Sequence, residues 1–207
     1  MLCIVQARSS SKRLPDKIFK KIAGKSVIER VLIRLKKSKE ITKIVFATSN
    51  RNDDNRVENF CLNNKIICYR GDLNNVALRY FNILKQYNNK SFLRISCDSP
   101  FLDYNLIDKA IKIYGKKKVD LVTNIFPRSF PKGQSIEILN SNIFKSNFTK
   151  FTLNQKEHVT KYFYDNYKKF KIFNVKSFKN KSFINLAIDT KKEFIYLNNN
   201  FEKINLK

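Results

Sequence analysis

The chain has 207 residues, a formal net charge of +25 and a hydrophobic share of 43%, enough to bury one sizeable core. No apolar run approaches the roughly 18 residues of a membrane span, and no leader-like segment opens the chain, so a soluble, untargeted, cytoplasmic protein with no membrane partner is expected. The four cysteines show no C-x-x-C spacing and His158 is the single histidine, which argues against a zinc site and fits reduced, buried thiols.

The excess charge is mostly lysine, spread along the whole chain amid asparagine and isoleucine, with no arginine stripe and no nucleic-acid-binding module. No nucleic-acid partner is therefore expected; a positive field suits anionic nucleotides and sugar acids equally well.

In chain order, β-branched apolar runs at 2–6, 43–48, 66–69, 92–96 and 119–123 predict strands. Helical spacing predicts helices between them at about 26–38, 54–63, 73–87 and 104–114. Ser26 and Glu29 form a capping box at the first of these, with Val27, Ile28, Val31, Leu32 and Leu35 on one face. Strands alternating with crossover helices predict a single-domain, doubly wound, mostly parallel α/β fold, its nucleotide-binding half spanning 1–123. After Asn124 the rhythm changes. Pro127, Pro131 and Gly133 punctuate a hairpin or excursion leading to a strand at 135–139 and a helix at 155–167, so that 124–167 forms an inserted unit. Closing elements over 168–207 comprise strands near 171–175 and 184–188 and a last helix from Thr190, capped by Glu193.

Ligands of open α/β sheets bind beyond the carboxyl ends of strands, where strand order reverses. The first strand opens directly into Ala7-Arg8-Ser9-Ser10-Ser11-Lys12-Arg13-Leu14-Pro15-Asp16-Lys17. Hydroxyls, free N–H groups, a forked guanidinium at Arg13 and the point charge of Lys17 suit phosphates. The strand at 92–96 ends in Cys97-Asp98-Ser99-Pro100, and as a neighbour of the first strand it would set Asp98 opposite this loop. A carboxylate facing phosphates needs a cation between them, and Mg²⁺ is the candidate, with Asp189 as second ligand.

Taken together, these segments resemble the cytidylyltransferases that activate sugar acids, the acylneuraminate and KDO cytidylyltransferase group, and most of all the branch of the spore coat polysaccharide biosynthesis protein F. The match begins with Gln6-Ala7-Arg8-x-x-Ser11-x-Arg13-Leu14-Pro15-x-Lys17 and continues through Tyr69-Arg70-Gly71 and Val76-Ala77-Leu78-Arg79-Tyr80. Arg94-Ile95-Ser96-Cys97-Asp98-Ser99-Pro100, Thr123-Asn124, 127–133, Glu157-His158-Val159-Thr160 and Ile188-Asp189-Thr190 follow in family order, to about Phe194. The resemblance implies transfer of CMP from CTP to a sugar acid of the ulosonic type, with release of pyrophosphate, for surface polysaccharide or glycan synthesis. It implies Arg13, Lys17, Asp98 and Asp189 as catalytic residues, and Ala7, Arg8, Ser11, Arg13, Lys17, Arg70 and Arg79 at the nucleotide. Asp98 and Asp189 would hold Mg²⁺; Asn124, Arg128, Glu157 and His158 would serve the sugar, and the protein would be a homodimer. Asp16 stands where relatives carry glycine, and Asn75 where they carry aspartate; a side chain at position 16 disfavours a positive φ. A sugar-1-phosphate nucleotidyltransferase, a glycosyltransferase of the same fold and a non-catalytic nucleotide-binding relative stay open as alternatives. The first would open with a glycine-rich loop, whereas the first glycine here is Gly24; the second would carry a D-x-D motif, which Asp98-Ser99-Pro100 lacks.

Overall fold

Strand β1 (Leu2–Gln6) is buried on both faces, which is why its sequence is a continuous apolar run rather than an alternating one. The computed structural model describes residues 1–205, Asn205 by its backbone alone; Leu206 and Lys207, the end of the expected closing unit, lie outside the described residues. After β1 come a small hairpin, β2 (Lys21–Ile22) and β3 (Lys25–Ser26), then α1 (Val27–Lys36), β4 (Lys43–Ser49), α2 (Asn55–Asn63) and β5 (Ile67–Gly71). The chain continues through α3 (Val76–Tyr87), β6 (Ser91–Ser96), α4 (Tyr104–Lys116), β7 (Leu121–Thr123), β8 (Glu137–Asn140) and α5 (Ser141–Asn147). It closes with α6 (Leu153–Glu157), α7 (Lys161–Asp165), β9 (Ile172–Asn174), α8 (Lys191–Asn199) and α9 (Phe201–Asn205).

Seven strands form one sheet in the order β5-β4-β1-β6-β8-β7-β9, parallel except at β8. Side chains alternate across it. Cys3 and Val5 pack on one face among residues of α1, α2 and α4, whereas Leu2 and Ile4 pack on the other among residues of α3, α5 and α7. The expected doubly wound, mostly parallel architecture is therefore present.

The register places the site. β1 pairs in parallel with both β4 and β6, Gln6 lying between Ala47 and Ser96. Strand order reverses here, so the loops after Gln6 and after Ser96 leave the sheet side by side.

Several local expectations need correction. The run at 184–188 is no strand: Asn185 makes one parallel bridge to Lys132, with Lys132 N–H donating to Ile184 O at 2.9 Å and Leu186 N–H to Lys132 O at 2.8 Å. Gly133 has a φ of 92°, and a Cβ there would lie 2.6 Å from the Leu186 carbonyl carbon, so the close passage of these two segments requires glycine. The helix at 155–167 is broken into α6 and α7 because His158 leaves helical geometry at φ −106°, ψ 71°. The hairpin β2–β3 and helix α5 were not foreseen, since strands of two residues and a seven-residue helix are too short to show a period.

Two acidic residues shape the loop after β1. Asp54 precedes α2 but caps nothing there. Instead Ser9 N–H and Oγ–H donate to its Oδ1 at 2.7 and 2.8 Å, while Ser49 N–H donates to Oδ2 at 3.2 Å and the Ser49 hydroxyl adds a short bond. Burial alone would raise the Asp54 pKa, but the bonds from Ser49 and Ser9 outweigh it and hold the carboxyl below its ordinary value. Asp16 adopts φ 55° after all, a left-handed conformation that aspartate tolerates better than most residues. Its Oδ1 lies 2.9 Å from Arg56, which turns the charge toward the surface.

Replacing Asp54 by Asn leaves one acceptor oxygen for four donors and should cost roughly 1–3 kcal/mol in a denaturant titration. The wild type should lose this contribution as pH falls below the ordinary Asp value of 3.8, whereas Asp54→Asn should not. Asp16→Gly should remain within about 1 kcal/mol of wild type while Asp16→Val loses about 1–2 kcal/mol, because the strain resides in the Cβ.

Candidate active site

A cleft of about 1040 Å³ opens at the carboxyl ends of β1, β4 and β6. Its floor includes Gln6, whose amide oxygen accepts from Arg94 Nε at 3.1 Å. Arg94 also makes a short bond to the buried carboxylate of Glu137, its antiparallel partner on β8, and the Tyr164 hydroxyl donates to Glu137 at 2.6 Å. Every charge in this group has a partner, so the floor is rigid and polar without being wasteful of stability.

One wall is the loop after β1. Among the described residues, the N–H groups of Ser10, Ser11, Lys12 and Arg13 donate to no protein acceptor. Those donors, the hydroxyls of Ser10 and Ser11 and the cations of Arg13 and Lys17 line one concavity, a chemistry that suits an anion. The Ser9–Asp54 bonds hold its near end and the left-handed turn at Asp16 closes the far one.

At the centre sits the Lys17 ammonium. It donates to Asp98 Oδ2 at 2.9 Å, to Asp189 Oδ1 at 3.0 Å and to the Ile188 carbonyl at 2.8 Å. Burial alone would lower the Lys17 pKa, but Asp98 and Asp189 outweigh it and hold the amine above its ordinary value. Arg13 lies 3.2 Å from Asp189 Oδ1 and Lys132 reaches its Oδ2 at 2.8 Å. For Asp189, burial alone would raise the pKa; hydrogen bonds from Lys132 and Lys17, together with their charges, bring it down to about 2. Asp98 and Asp189 meet because Ile188 N–H donates to the Asp98 carbonyl at 2.9 Å, while Thr190 caps α8 immediately afterwards.

Two carboxylate oxygens and a carbonyl oxygen thus converge on one positive centre. This donor set is all oxygen and fits Mg²⁺, which commonly takes one or two carboxylates and completes its shell with water and phosphate oxygens. Among the described residues no group of three or more His, Cys, Asp or Glu forms a complete cage for a metal.

Ten of the expected site residues line this cleft: Ala7, Arg8, Ser11, Arg13, Lys17, Arg79, Asp98, Glu157, His158 and Asp189. Arg8 and Glu157 face each other at 3.5 Å, half-exposed. Three others lie elsewhere. Arg70 donates to Ser49 O, Arg51 O and Glu58, so its guanidinium braces the turn after β4. Buried Asn124 donates to Gln134 O at 2.7 Å and accepts from Ile136 N–H at 2.9 Å, and Arg128 donates to Pro131 O and to Ser135; both pin the excursion that carries Lys132. Asn75 serves as N-cap of α3, accepting from Leu78 N–H at 2.9 Å. Lys132 and Asp54 escaped the sequence reading as functional residues. Lys132 sits in a Pro-Lys-Gly turn that marks only a loop, and Asp54 looks like an ordinary helix cap.

Comparison with known proteins shows which chains this one is similar to. An uncharacterised protein of Methanocaldococcus jannaschii, MJ1063, is 32% identical over 212 residues, covering 98% of this chain and 85% of its own. The spore coat polysaccharide biosynthesis protein SpsF of Bacillus subtilis is 26% identical over 168 residues, 78% of this chain and 69% of its own. A solved structure of a cytidylyltransferase from Leptospira borgpetersenii superimposes with a TM-score of 0.92 at 28% identity, covering 97% of this chain and 86% of the other. The family model described as Cytidylyltransferase matches residues 2–205, and the chain belongs to that family.

Proposed function

We propose that this protein transfers CMP from CTP to a sugar acid of the ulosonic type and releases pyrophosphate, in the synthesis of a surface polysaccharide or glycan. The observation that carries the reading is the convergence of Asp98 and Asp189 on the Lys17 ammonium, beside a loop of free N–H donors. The similarity to a spore coat polysaccharide protein supports the polysaccharide setting.

In this reading the N–H groups of 10–13, the Ser11 hydroxyl, Arg13 and Lys17 bind the β- and γ-phosphates, with Arg8 and Ala7 at the mouth of the same loop. Asp98 and Asp189 would hold Mg²⁺, which when bound supplies charge neutralisation at the α-phosphate and the departing pyrophosphate. A sugar hydroxyl attacks the α-phosphorus in line, forming the new P–O bond as the bond to the pyrophosphate oxygen breaks, and the hydroxyl proton passes to water. The protein contributes position and fixed positive charge, the two largest needs of phosphoryl and nucleotidyl transfer. Glu157 and His158, on the wall facing the loop, border the space left for the acceptor. A homodimer and a cytoplasmic location belong to the same proposal.

Incubation with Mg²⁺, each of the four nucleoside triphosphates and a panel of sugar acids and sugar phosphates tests it directly. Pyrophosphate should appear only with CTP and a sugar acid. Asp98→Asn and Asp189→Asn should each lower turnover by more than the roughly 10- to 100-fold typical of a supporting residue. Release with a sugar 1-phosphate instead would transfer the protein to the first alternative class, and absence of any nucleotide binding would sink the enzyme reading.

Lys17→Met removes the cation shared by two carboxylates and should lower stability without metal by about 1–3 kcal/mol. Millimolar Mg²⁺ should restore part of the loss in a thermal melt of the variant. Asp189 keeps its charge in the folded protein down to about pH 2, against an ordinary value of 3.8, so its contribution is complete above pH 4 and disappears as pH falls toward 2. The gap between wild type and Lys17→Met should narrow over that window.

A further inference from the structure

The stretch 166–188 holds six lysines and neither aspartate nor glutamate. Within it Phe178 is 100% and Phe183 is 83% exposed, the two most exposed aromatic rings among the described residues. Lys176, Lys179 and Lys181 stand beside and between them, all exposed, and none pairs with a carboxylate among the described residues. Backbone bonds hold this turn in place. Ser177 N–H donates to Ser129 Oγ at 2.9 Å, Lys181 N–H to Ser129 O at 2.8 Å, and Ser182 N–H to Asn180 Oδ1 at 3.0 Å. Ser129 belongs to the excursion after β7, where Phe126 packs on the half-exposed Tyr167 with ring centroids 5.7 Å apart. Lys168 and Lys169 follow Tyr167 and are exposed as well. Single exposed apolar side chains are ordinary. Two rings presented to water on one tethered turn, among cations, mark a contact surface.

The chemistry of the patch selects its partner: the ammonium groups need anions, and the rings need an apolar phase within reach of those anions. A second copy of this chain would bring the same lysines against these, since a two-fold interface sets a patch on itself, and like charges would then face each other. A nucleic-acid strand supplies phosphates, but its bases stack on aromatic side chains along a groove. Phe178 and Phe183 stand on a turn, outside the cleft at the strand ends. An anionic bilayer meets both needs at once, with headgroups for the lysines and the acyl boundary for the rings. We infer that the turn 176–183 docks this protein on an anionic lipid surface, Phe178 and Phe183 entering the interface while Lys176, Lys179 and Lys181 meet the headgroups. No helix among the described residues is long and apolar enough to cross a membrane, so the contact is peripheral. The expectation of no membrane partner came from the lack of such a span and does not bear on a contact of this kind. Each lysine near an anionic leaflet strengthens binding about 5-fold, and each inserted ring roughly 10-fold. The docking is therefore reversible, and it needs both kinds of side chain.

Co-sedimentation of the intact protein with vesicles provides the test, at about 150 mM salt so that long-range attraction is screened. The wild type should pellet with vesicles of phosphatidylglycerol and phosphatidylcholine and stay in solution with phosphatidylcholine alone. The double variant Phe178→Ser/Phe183→Ser keeps every charge and should bind the mixed vesicles roughly 100-fold more weakly. Both rings project into solvent, so its thermal melt should match the wild type. The triple variant Lys176→Gln/Lys179→Gln/Lys181→Gln should lose about 100-fold as well. A chain of net charge +25 adheres to anionic vesicles through charge alone if the turn plays no part; equal binding by the wild type and the phenylalanine variant would show this and overturn the inference. If the wild type ignored vesicles but bound single-stranded RNA, and the phenylalanine variant did not, the turn would belong to nucleic acid and the inference would fall. Conversion of a dimer to a monomer by the same variant, in analytical ultracentrifugation, would assign the rings to self-association and overturn it too.

Discussion

A largely buried ammonium needs anions, and in this protein that need ties three distant segments together. Lys17 comes from the loop after β1, Asp98 from the end of β6 and Asp189 from the stretch before α8. Each carboxylate would be expensive to bury alone, and the lysine more so. Together they stabilise one another, and they leave at the carboxyl end of the sheet a group of oxygens already gathered around positive charge. The same feature serves stability in the free protein and cation binding in the proposed reaction.

The rest of the cleft follows from how that centre is held. Parallel pairing of β1 with β6 places the two loops side by side. The Ile188–Asp98 backbone bond brings the third segment alongside, and the excursion after β7 passes close enough at Gly133 to set Lys132 on Asp189. Asp54, from the far side of β1, grips Ser9 and Ser49 at once and so fixes where the loop after β1 begins. The departures at Asp16 and Asn75 do not break this frame. Asp16 takes the left-handed turn itself and directs its charge to Arg56, and Asn75 caps α3 as an aspartate would.

Much of this was legible in the chain. The apolar runs, the Ser26–Glu29 and Thr190–Glu193 capping boxes and the alternation of periods led to the sheet and its flanking helices, because each is a local property. Loop residues with chemistry at strand ends led to Arg13, Lys17, Asp98 and Asp189. Arg70, Asn124 and Arg128 illustrate the limit: as residue types they suit a ligand, but backbone carbonyls and neighbouring side chains occupy their hydrogen-bonding groups. The apolar run at 184–188 has a strand's composition but no strand's ladder: among the described residues it makes one isolated bridge, to Lys132, and a separate backbone bond from Ile188 to Asp98.

By itself, then, the sequence determined the class of fold, the order of its elements and the family to which the chain belongs, all of which depend on local pattern and on the spacing of motifs. Only the tertiary structure decided which polar groups are spent on the protein and which remain for a ligand. Lys132 was recruited to Asp189 by a backbone passage 57 residues away in sequence, and Arg79 Nε is buried with no hydrogen-bond partner among the described residues. Hydrogen-bond satisfaction is a property of neighbours in space, and no reading of neighbours in sequence supplies it.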